Sequence, residues 1–434
     1  MGPMRSFLGL FVLMALAWGV STNRRRIPWR VVFWGTSLQL IFAVFIFIIP
    51  VGGTFFLAVN RFVSALLESA MAGTTFLFGP LALPPGVVGD NGEVSPGFIL
   101  AFQSLPTAVF FASLMGLLYH IRVMPLLIRL FSKVFTTLMR ISGAESLCAA
   151  SNIFVGAESA LTIRPYLSAM TRSELCTILT AAMATIASTV LGLYVMILRD
   201  AFPNIAGHLV SASILSAPAA VVMSKLMLPE EDKPKTLGRN ATPGDKRASS
   251  WMEAAIDGAM AGVKLVVGIA ALLLAFLGLL HLADLGIGWA GGWINGWTGW
   301  TMDWSLAHLI SYAFYPLTWL IGVVPADVGV CARLIGERTV ITEIPAYQEL
   351  AGLISSGAFQ DPRSIVITTY ALCGFTHVAS LAIFVGGISA LAPDRTKDLA
   401  AIGPRALLAA ILATLMTGAV AGIFASGGTI LAGS

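Results

Sequence analysis

Residues 150–166 read ASNIFVGAESALTIRPY and interrupt apolar sequence with small and polar side chains. A second segment, residues 335–347, reads IGERTVITEIPAY. Each segment contains a Gly, then a Glu, then a Pro and a Tyr, and each is followed by an Arg-Ser pair and a long apolar stretch. Self-similarity of this kind predicts an internal repeat.

The composition around these segments is that of a membrane protein. Of the 434 residues, 57% are hydrophobic and only 11% are charged, which is too little polar surface for a soluble globule. The 4 cysteines are scattered and form no CxxC or His/Cys cluster, so neither a disulfide framework nor a zinc site is expected. No HExxH, GxSxG or GxxxxGK(S/T) motif occurs, which argues against an embedded protease, a hydrolase or an NTP-driven pump. We therefore expect no enzyme and no nucleic-acid partner.

Eight apolar stretches are each about long enough to cross the hydrocarbon of a bilayer. They are Phe7–Thr22, Val31–Pro50, Phe98–His120, Leu175–Leu198, Leu209–Leu228, Ala255–Leu282, Ile365–Leu391 and Arg405–Ala425. With the N-terminus outside, 19 of the 26 Lys and Arg residues fall inside and four fall outside, in accord with the positive-inside rule. This distribution predicts a multi-pass protein of the plasma (inner) membrane, in contact with lipid and with both termini outside.

Four further segments complete the predicted fold. Val59–Ala70 and Ile121–Ile141 are amphipathic and are expected to lie along the membrane interface. Ser142–Ala169 and His308–Tyr347 are expected to be hairpins that return to the side they entered from. Because the first hairpin then begins inside and the second outside, the repeat is inverted. The prediction is an all-α polytopic protein with eight transmembrane helices, two re-entrant hairpins, interfacial helices and an inverted hairpin-helix-helix repeat.

Two carboxylates and one imidazole are the candidate functional groups. Glu158 and Glu343 lie in the hairpins, and a carboxylate at membrane depth is costly unless it is paired, solvated or protonated. His377 lies within the seventh apolar stretch, where it could contact a solute, carry a proton or only bond a neighbouring carbonyl. A second group is expected to be mostly structural and to pair along the second hairpin: Asp327, Arg333, Glu337 and Arg338.

Several short strings, in one order from about Trp29 to Phe424, resemble those of the concentrative nucleoside transporters. They are Leu105-Pro106-Thr107, Asn152-Ile153-Phe154-Val155-Gly156, Arg164-Pro165-Tyr166-Leu167, Ala184-Thr185-Ile186-Ala187, Ser216-Ala217-Pro218-Ala219-Ala220 and Ala371-Leu372-Cys373-Gly374-Phe375. The resemblance implies a secondary active nucleoside symporter, driven by sodium or, in some bacterial members, by protons. It also implies a homotrimer in which each subunit has a scaffold and a mobile transport domain that holds both hairpins.

The resemblance also assigns site residues. It implies a sodium site at Asn152, Val155, Thr185 and Ile186, and substrate contacts at Gly156, Ala157, Glu158, Thr342, Glu343, Phe375, His377 and Ser380. Three strings depart from the family pattern. The first hairpin tip reads Gly156-Ala157-Glu158-Ser159 without the usual Gln, Thr342 replaces an Asn, and Thr376-His377 replaces Ala-Asn. We therefore expect a bacterial member with altered substrate-site motifs.

The resemblance divides the chain into four segments. Residues 1–141 are the scaffold helices with interfacial helices, and residues 142–228 are the first transport-domain repeat. Residues 229–307 are a cytoplasmic linker and a scaffold helix, and residues 308–434 are the second repeat. The expected function is sodium-coupled import of nucleosides or nucleoside-like solutes by alternating access. The alternatives are a proton-coupled symporter of another small polar solute and a non-transporting membrane protein of the same fold.

Overall fold

The computed structural model describes residues 2–85, 87–89, 92–156, 159–239, 241, 248–299 and 301–425. The regular secondary structure of these residues consists of α-helices joined by loops and short 3-10 turns. Two isolated bridges join Val88 to Val94 and Ser142 to Leu237. The α-helices are α1 Gly2–Gly19, α2 Trp29–Phe47, α3 Pro50–Phe78, α4 Leu100–Gln103, α5 Leu105–His120, α6 Val123–Met139, α7 Gly143–Asn152, α8 Ser159–Thr162, α9 Arg172–Ala184, α10 Ser188–Leu198, α11 Ile205–Met227, α12 Trp251–Thr298, α13 Leu306–Leu320, α14 Val328–Val340, α15 Glu343–Ser355, α16 Pro362–Leu372, α17 Val378–Leu391 and α18 Thr396–Phe424.

Within the described ranges, eight helical segments are long and apolar enough to cross a membrane. Their number agrees with the prediction, but two members differ. Pro50–Ala82 qualifies by length and composition, although its Val59–Ala70 part was expected to lie along the interface. The predicted crossing Ile365–Leu391 is not one continuous helix, because α16 ends at Leu372 and α17 begins at Val378.

The two parts of the repeat have the same order of helices. In the first part, α7 and α8 flank a tip, α9 and α10 follow with a break between them, and α11 ends the unit. In the second part, α14 and α15 flank a tip, α16 and α17 follow with a break, and α18 ends the unit. The breaks after α9 and α16 were not predicted, since the apolar sequence runs through both of them.

The two parts pack against each other around α11 and α18. The most apolar windows of the Ile205–Met227 and Pro393–Phe424 spans are 89% and 78% buried, so these helices form the centre of the molecule. The hydroxyl oxygens of Ser216 on α11 and Thr417 on α18 lie 3.2 Å apart and join the two units directly. Close helix packing through small and hydroxyl side chains is typical of membrane interiors.

The long helix α12 has the opposite character, because only 6% of its most apolar window is buried. It packs along α5 through a Gly-x-x-x-Gly pair, Gly258 and Gly262. A Cβ atom at Gly258 would lie 2.5 Å from the carbonyl oxygen of Ala112, and one at Gly262 would lie 2.7 Å from the Cα of Val109. The absence of side chains at both glycines therefore allows the two backbones to approach closely.

A buried ion cluster fixes the base of the first hairpin to α11. Lys225 Nζ lies 2.5 Å from Glu145 Oε1 and 3.3 Å from Glu230 Oε2. Glu145 also completes a capping box with Ser142 at the start of α7. Because the hydroxyl of Ser173 accepts a further hydrogen bond from Lys225 at 2.9 Å, the start of α9 is held at the same point.

Candidate functional site

The carboxylate of Glu343 lies at the centre of the candidate site. Glu343 is the first residue of α15, follows the extended residue Thr342 and is 3% exposed. Its position at a helix N-terminus favours a negative charge. Tyr194, on α10 in the other repeat, donates a hydrogen bond from its hydroxyl to Glu343 Oε1 over 2.6 Å. The ring of Tyr194 packs on that of Tyr347 with centroids 4.9 Å apart.

His377 lies in the extended segment between α16 and α17. Gly374, in the same segment, has φ +125°, a conformation that L side chains rarely adopt. The backbone N–H of Ser380 donates to His377 Nδ1 over 3.2 Å, so the imidazole caps α17. Since Nδ1 accepts that bond, the proton of the neutral ring lies on Nε2. His377 Nε2 lies 3.1 Å from Glu343 Oε2 and 2.7 Å from the Ser380 hydroxyl.

A cavity of about 120 Å³ brings these groups together. Its lining combines the first repeat, the second repeat and α12: Val155, Ala187, Thr189, Val190, Leu265, Ile269, Leu272, Leu273, Thr342, Glu343, Ile344, Phe375, His377, Ser380, Ile383 and Phe384. We call this space the central cavity. Five of the eight predicted substrate contacts, all on the second repeat, line it. The four residues from α12 are all apolar, so this helix forms a hydrophobic wall opposite the polar groups.

Two polar atoms on the lining keep hydrogen-bonding capacity for a bound solute, although Glu343 Oε2 also lies 3.1 Å from His377 Nε2. The buried hydroxyl of Thr342 and Oε2 of Glu343 accept or donate no aligned hydrogen bond within the part of the chain that the structure describes. Buried polar atoms normally find partners, and unpaired ones at a cavity indicate where a ligand would bind. The arrangement therefore offers an apolar surface on one side and hydrogen-bonding groups on the other.

The predicted sodium ligands lie beside the central cavity, around the tip of the first hairpin. Asn152, Thr185 and Ile186 are each at most 1% exposed, and Val155 is 5% exposed. Val155 also lines the central cavity, so it is the residue shared by both groups. The backbone N–H of Ser188 donates to the carbonyl of Phe154 over 3.1 Å, which ties the hairpin tip to the break after α9.

Hydroxyl and carbonyl oxygens dominate this region. The Ser213 hydroxyl, on α11, donates over 2.9 Å to the carbonyl of Ile153 and lies 3.4 Å from that of Ile186. Asn152 Nδ2 donates to the carbonyl of Cys148 over 3.1 Å, which fixes the orientation of its amide oxygen. Thr185 is extended and its hydroxyl bonds back to the carbonyl of Ala181. Neutral oxygen ligands of this kind suit a hard cation.

Of the three predicted substrate contacts at the first hairpin tip, only Gly156 is among the described residues. Gly156 has φ +65°, and a Cβ there would lie 2.5 Å from the Cβ of Ala187. The tip can therefore approach the break after α9 only because residue 156 is a glycine. Ala157 and Glu158, both predicted substrate contacts, lie outside the described residues.

The charged residues near the second hairpin have separate partners. Arg333 pairs with Glu349 across the hairpin, as expected of a structural pair. Asp327 instead accepts hydrogen bonds from the backbone of Gln360 and Asp361, at 2.9 and 3.2 Å, and so holds the loop before α16. Arg338 is buried without an ion pair among the described residues, so the expectation that it pairs along the hairpin was wrong.

Sequence reasoning missed Tyr194 and the α12 wall. Tyr194 lies in a uniformly apolar stretch. Hydrophobic periodicity therefore cannot distinguish the helix face that points at Glu343 from the faces that pack in the core. The apolar residues of α12 that line the central cavity are likewise indistinguishable by type from their lipid-facing neighbours. The tyrosine hydroxyl is the one signal that could have been noticed, since a buried phenol needs a partner.

Two units with the same order of helices, broken helices and a cavity at their junction with a further helix are features of secondary membrane transporters. Three family models match the chain: "Na+ dependent nucleoside transporter N-terminus" over residues 8–81, "Nucleoside recognition" over residues 101–201 and "Na+ dependent nucleoside transporter C-terminus" over residues 208–422. An uncharacterized transporter of Haemophilus influenzae is 34% identical, with 98% of each chain covered. The chain therefore belongs to the family of concentrative, Na⁺-dependent nucleoside transporters.

Mammalian relatives are similar over most of this chain. Solute carrier family 28 member 3 of Mus musculus is 37% identical over 96% of this chain, and sodium/nucleoside cotransporter 1 of Rattus norvegicus is 34% identical over 96%. The chain spans 58% and 63% of the length of these two relatives. The family is one of transporters and not of enzymes.

Solved structures of the transporter CNTnw have the same fold. The inward-facing substrate-bound state is 34% identical, with a TM-score of 0.86, and covers 98% of both chains. A variant in an outward-facing state gives a TM-score of 0.87 at 33% identity, again over 98% of both chains. The architecture is thus one that has been observed in more than one transport state.

Proposed function

We propose that this protein is a symporter that imports nucleosides or nucleoside-like solutes and is driven by a sodium gradient. The main support for this proposal is the central cavity, which the Glu343 carboxylate and the apolar wall of α12 line together. A nucleoside has a base that suits apolar contacts and a sugar whose hydroxyls suit a carboxylate acceptor. A solute without those hydroxyls would leave a desolvated charge unpaired, so this site discriminates against it.

The polar lining gives the solute several contacts. Glu343 Oε2 and the Thr342 hydroxyl are acceptors at the second hairpin tip, and a bound solute would compete with Glu343 Oε2 for the N–H at His377 Nε2. Phe375 provides an aromatic face within the same lining. Ser380 holds the imidazole in place through its backbone N–H. Gly156, Ala157 and Glu158 complete the proposed site from the first hairpin.

Sodium is the proposed coupling ion, with Asn152, Val155, Thr185 and Ile186 as its ligands. The oxygen-rich surroundings of the first hairpin tip support this choice, as does the description of the family models. Val155 is a proposed sodium ligand and also lines the central cavity. An ion bound at the hairpin tip would therefore reduce the mobility of one edge of this cavity. Solute and ion would then raise each other's affinity.

The proposed motion takes place between the scaffold and the transport domain. Residues 142–228 and 308–434 would form the transport domain, and residues 1–141 and 229–307 the scaffold. The position of the central cavity supports this division, since α12 contributes only its apolar wall. The proposed assembly is a homotrimer in the plasma (inner) membrane, with both termini outside. Alternating access then follows when the transport domain slides along α12.

A proton-coupled symporter is the second candidate, and one observation favours it. His377 Nε2 lies 3.1 Å from Glu343 Oε2, so a proton could be shared between these two side chains inside the cavity. In this alternative the solute would bind the protonated pair, and the oxygen-rich hairpin tip would serve only to shape the first repeat.

Solute binding to purified protein tests the proposal. A matched set of ribonucleosides, deoxyribonucleosides and free bases is titrated in sodium chloride and in choline chloride. We expect ribonucleosides to bind tightest, sodium to increase their affinity, and Glu343→Gln to abolish most of that binding. Glu349→Gln, on the same helix but paired with Arg333, is the control and should bind normally. Equal affinity of wild type and Glu343→Gln across the set would refute the proposed site.

A further inference from the structure

Arg338 is a buried cation that has no part in the transport cycle proposed above. It lies on α14 near the second hairpin tip, and it is 0% exposed. Its Nη1 donates to the carbonyl of Ala371 over 2.8 Å and to the Thr414 hydroxyl over 3.3 Å. Among the described residues, its Nε and Nη2 have no hydrogen-bond partner and no carboxylate forms an ion pair with it.

A guanidinium at membrane depth without a paired carboxylate is expensive, so its surroundings need to compensate the charge. Ala371 supplies part of that compensation. It is the next-to-last residue of α16, and its carbonyl belongs to the negative end of that short helix. Arg338 therefore neutralises the C-terminal end of the half-helix that precedes Gly374 and His377.

The two repeats meet where Ser216 contacts Thr417. These residues occupy equivalent helices, α11 and α18, and their hydroxyls meet at 3.2 Å. One helical turn earlier on each helix is another hydroxyl residue, Ser213 on α11 and Thr414 on α18. Ser213 bonds the carbonyls around the first hairpin tip, and Thr414 accepts a hydrogen bond from Arg338.

The two repeats thus contain three-way junctions with similar parts. Each junction joins the C-terminal end of the first hairpin helix, or arm (α7 or α14), the C-terminal end of the half-helix that follows the hairpin (α9 or α16) and a hydroxyl from the last helix of the unit (α11 or α18). In the first junction the arm and the break provide neutral oxygen groups, those of Asn152 and Thr185. In the second junction the arm provides the guanidinium of Arg338, which reaches the carbonyl of Ala371.

We propose that Arg338 is a tethered cation, which does in the second repeat what the coupling sodium ion does in the first. This inference rests on the proposed sodium site at the first hairpin. It follows that the second hairpin is held to α16 at all times, whereas the first is held to its break only when the ion is bound. It also follows that the second junction binds no sodium ion of its own, because it already contains a positive charge.

Chemical rescue tests the need for a positive charge at the second junction. Arg338→Ala is purified, and its thermal unfolding and ribonucleoside binding are measured with low-millimolar guanidinium chloride, urea or choline chloride. We expect the substitution to weaken binding by about tenfold or more and guanidinium alone to restore it. Urea has the same shape without the charge, so a purely steric filling of the space would be rescued by both. Arg333→Ala, on the same helix, is the control and should gain nothing from guanidinium.

A second pair of variants decides the matter if Arg338→Ala does not fold. Arg338→Lys keeps the charge and Arg338→Met keeps similar bulk without it, and both are assayed for unfolding temperature and for the sodium dependence of binding. Lysine should preserve wild-type behaviour and methionine should not. If lysine and methionine behave alike, or if Arg338→Ala retains wild-type stability and binding, Arg338 is not a tethered cation.

The sodium response of wild type separates this inference from the proposed function. A single-site sodium curve for ribonucleoside binding agrees with both. Absence of any sodium or nucleoside response contradicts the proposed function, and in that case guanidinium rescue of the unfolding temperature alone still decides whether Arg338 acts through its charge.

Discussion

The hydroxyl of Tyr194 donates a 2.6 Å hydrogen bond to Glu343 and so connects the two inverted repeats at the central cavity. Tyr194 belongs to α10 in the first repeat, and Glu343 begins α15 in the second. The bond holds one carboxylate oxygen, Oε1, and leaves Oε2 without an aligned hydrogen bond within the described residues. One repeat therefore orients the group with which the other repeat is proposed to read the solute.

Tyr194→Phe should weaken ribonucleoside binding without unfolding the protein. A hydrogen bond to a charged group contributes about 1.5–3 kcal/mol, so we expect affinity to fall by roughly tenfold or more. Isothermal titration of purified protein measures the change. Tyr347→Phe is the matched control, because its ring packs on Tyr194 but its hydroxyl contacts the carbonyl of Thr369 at 3.4 Å and not Glu343. An equal loss in both variants would show that ring packing, and not the hydrogen bond, sets the affinity.

His377→Asn should change the preference among solutes more than it reduces binding in general. The imidazole offers one N–H donor beside Glu343, whereas an asparagine that caps α17 through Oδ1 offers two N–H donors from a shorter side chain. Asparagine is also a good N-cap residue, so α17 should keep its start. Competition of a labelled ribonucleoside by other nucleosides and free bases measures the preference. An unchanged order of competitors in the variant would remove His377 from the proposed solute contacts.

Thr185→Val should weaken the sodium response while preserving the shape of the side chain. Loss of one oxygen ligand is expected to raise the sodium concentration needed for half-maximal stimulation of binding by roughly tenfold, equivalent to about 1.4 kcal/mol. Thr180→Val is the control, since Thr180 lies on α9 shortly before the break and its hydroxyl bonds the carbonyl of Ala406. A sodium response that is unaltered in Thr185→Val, or equally altered in both variants, would argue against the proposed ion ligands.

The predicted topology is tested by labelling single cysteines at exposed positions. Lys233→Cys should react with a membrane-impermeant maleimide only from the cytoplasmic side, and Val94→Cys only from outside. The buried native cysteines at 148, 176, 331 and 373 should contribute little background. The reverse pattern would contradict both the outside position of the termini and the inverted orientation of the repeats.

Much of the fold was predictable because bilayer crossing leaves strong signals in a sequence. The apolar spans follow from length and composition, and the repeat follows from two matching strings of residues. The breaks after α9 and α16 were not predictable in the same way. Thr185 and Gly374 interrupt apolar stretches that read as continuous. A Cβ at Gly374 would lie 2.9 Å from the carbonyl oxygen of Ala184, so the two breaks pack closely against each other, which the linear sequence does not reveal.

Several residues that line the central cavity were predictable from the sequence, but their pairings were not. The family strings pointed to Glu343 and His377, which the structure brings within 3.1 Å of each other. Nothing in the linear sequence relates Tyr194 to Glu343, because the contact depends on how two inverted units pack. Arg338 was expected to be part of a salt bridge, and only its burial against Ala371 distinguishes it from Arg333.

Uptake of a labelled ribonucleoside into proteoliposomes, with a sodium gradient or a proton gradient imposed separately, tests the central claim most directly. We expect accumulation against a concentration gradient when sodium is high outside, and loss of that accumulation in Glu343→Gln. The proton gradient alone should drive none. Equal accumulation under a proton gradient with sodium absent would contradict sodium coupling, and a failure to accumulate any nucleoside under either gradient would contradict the proposed transport function itself.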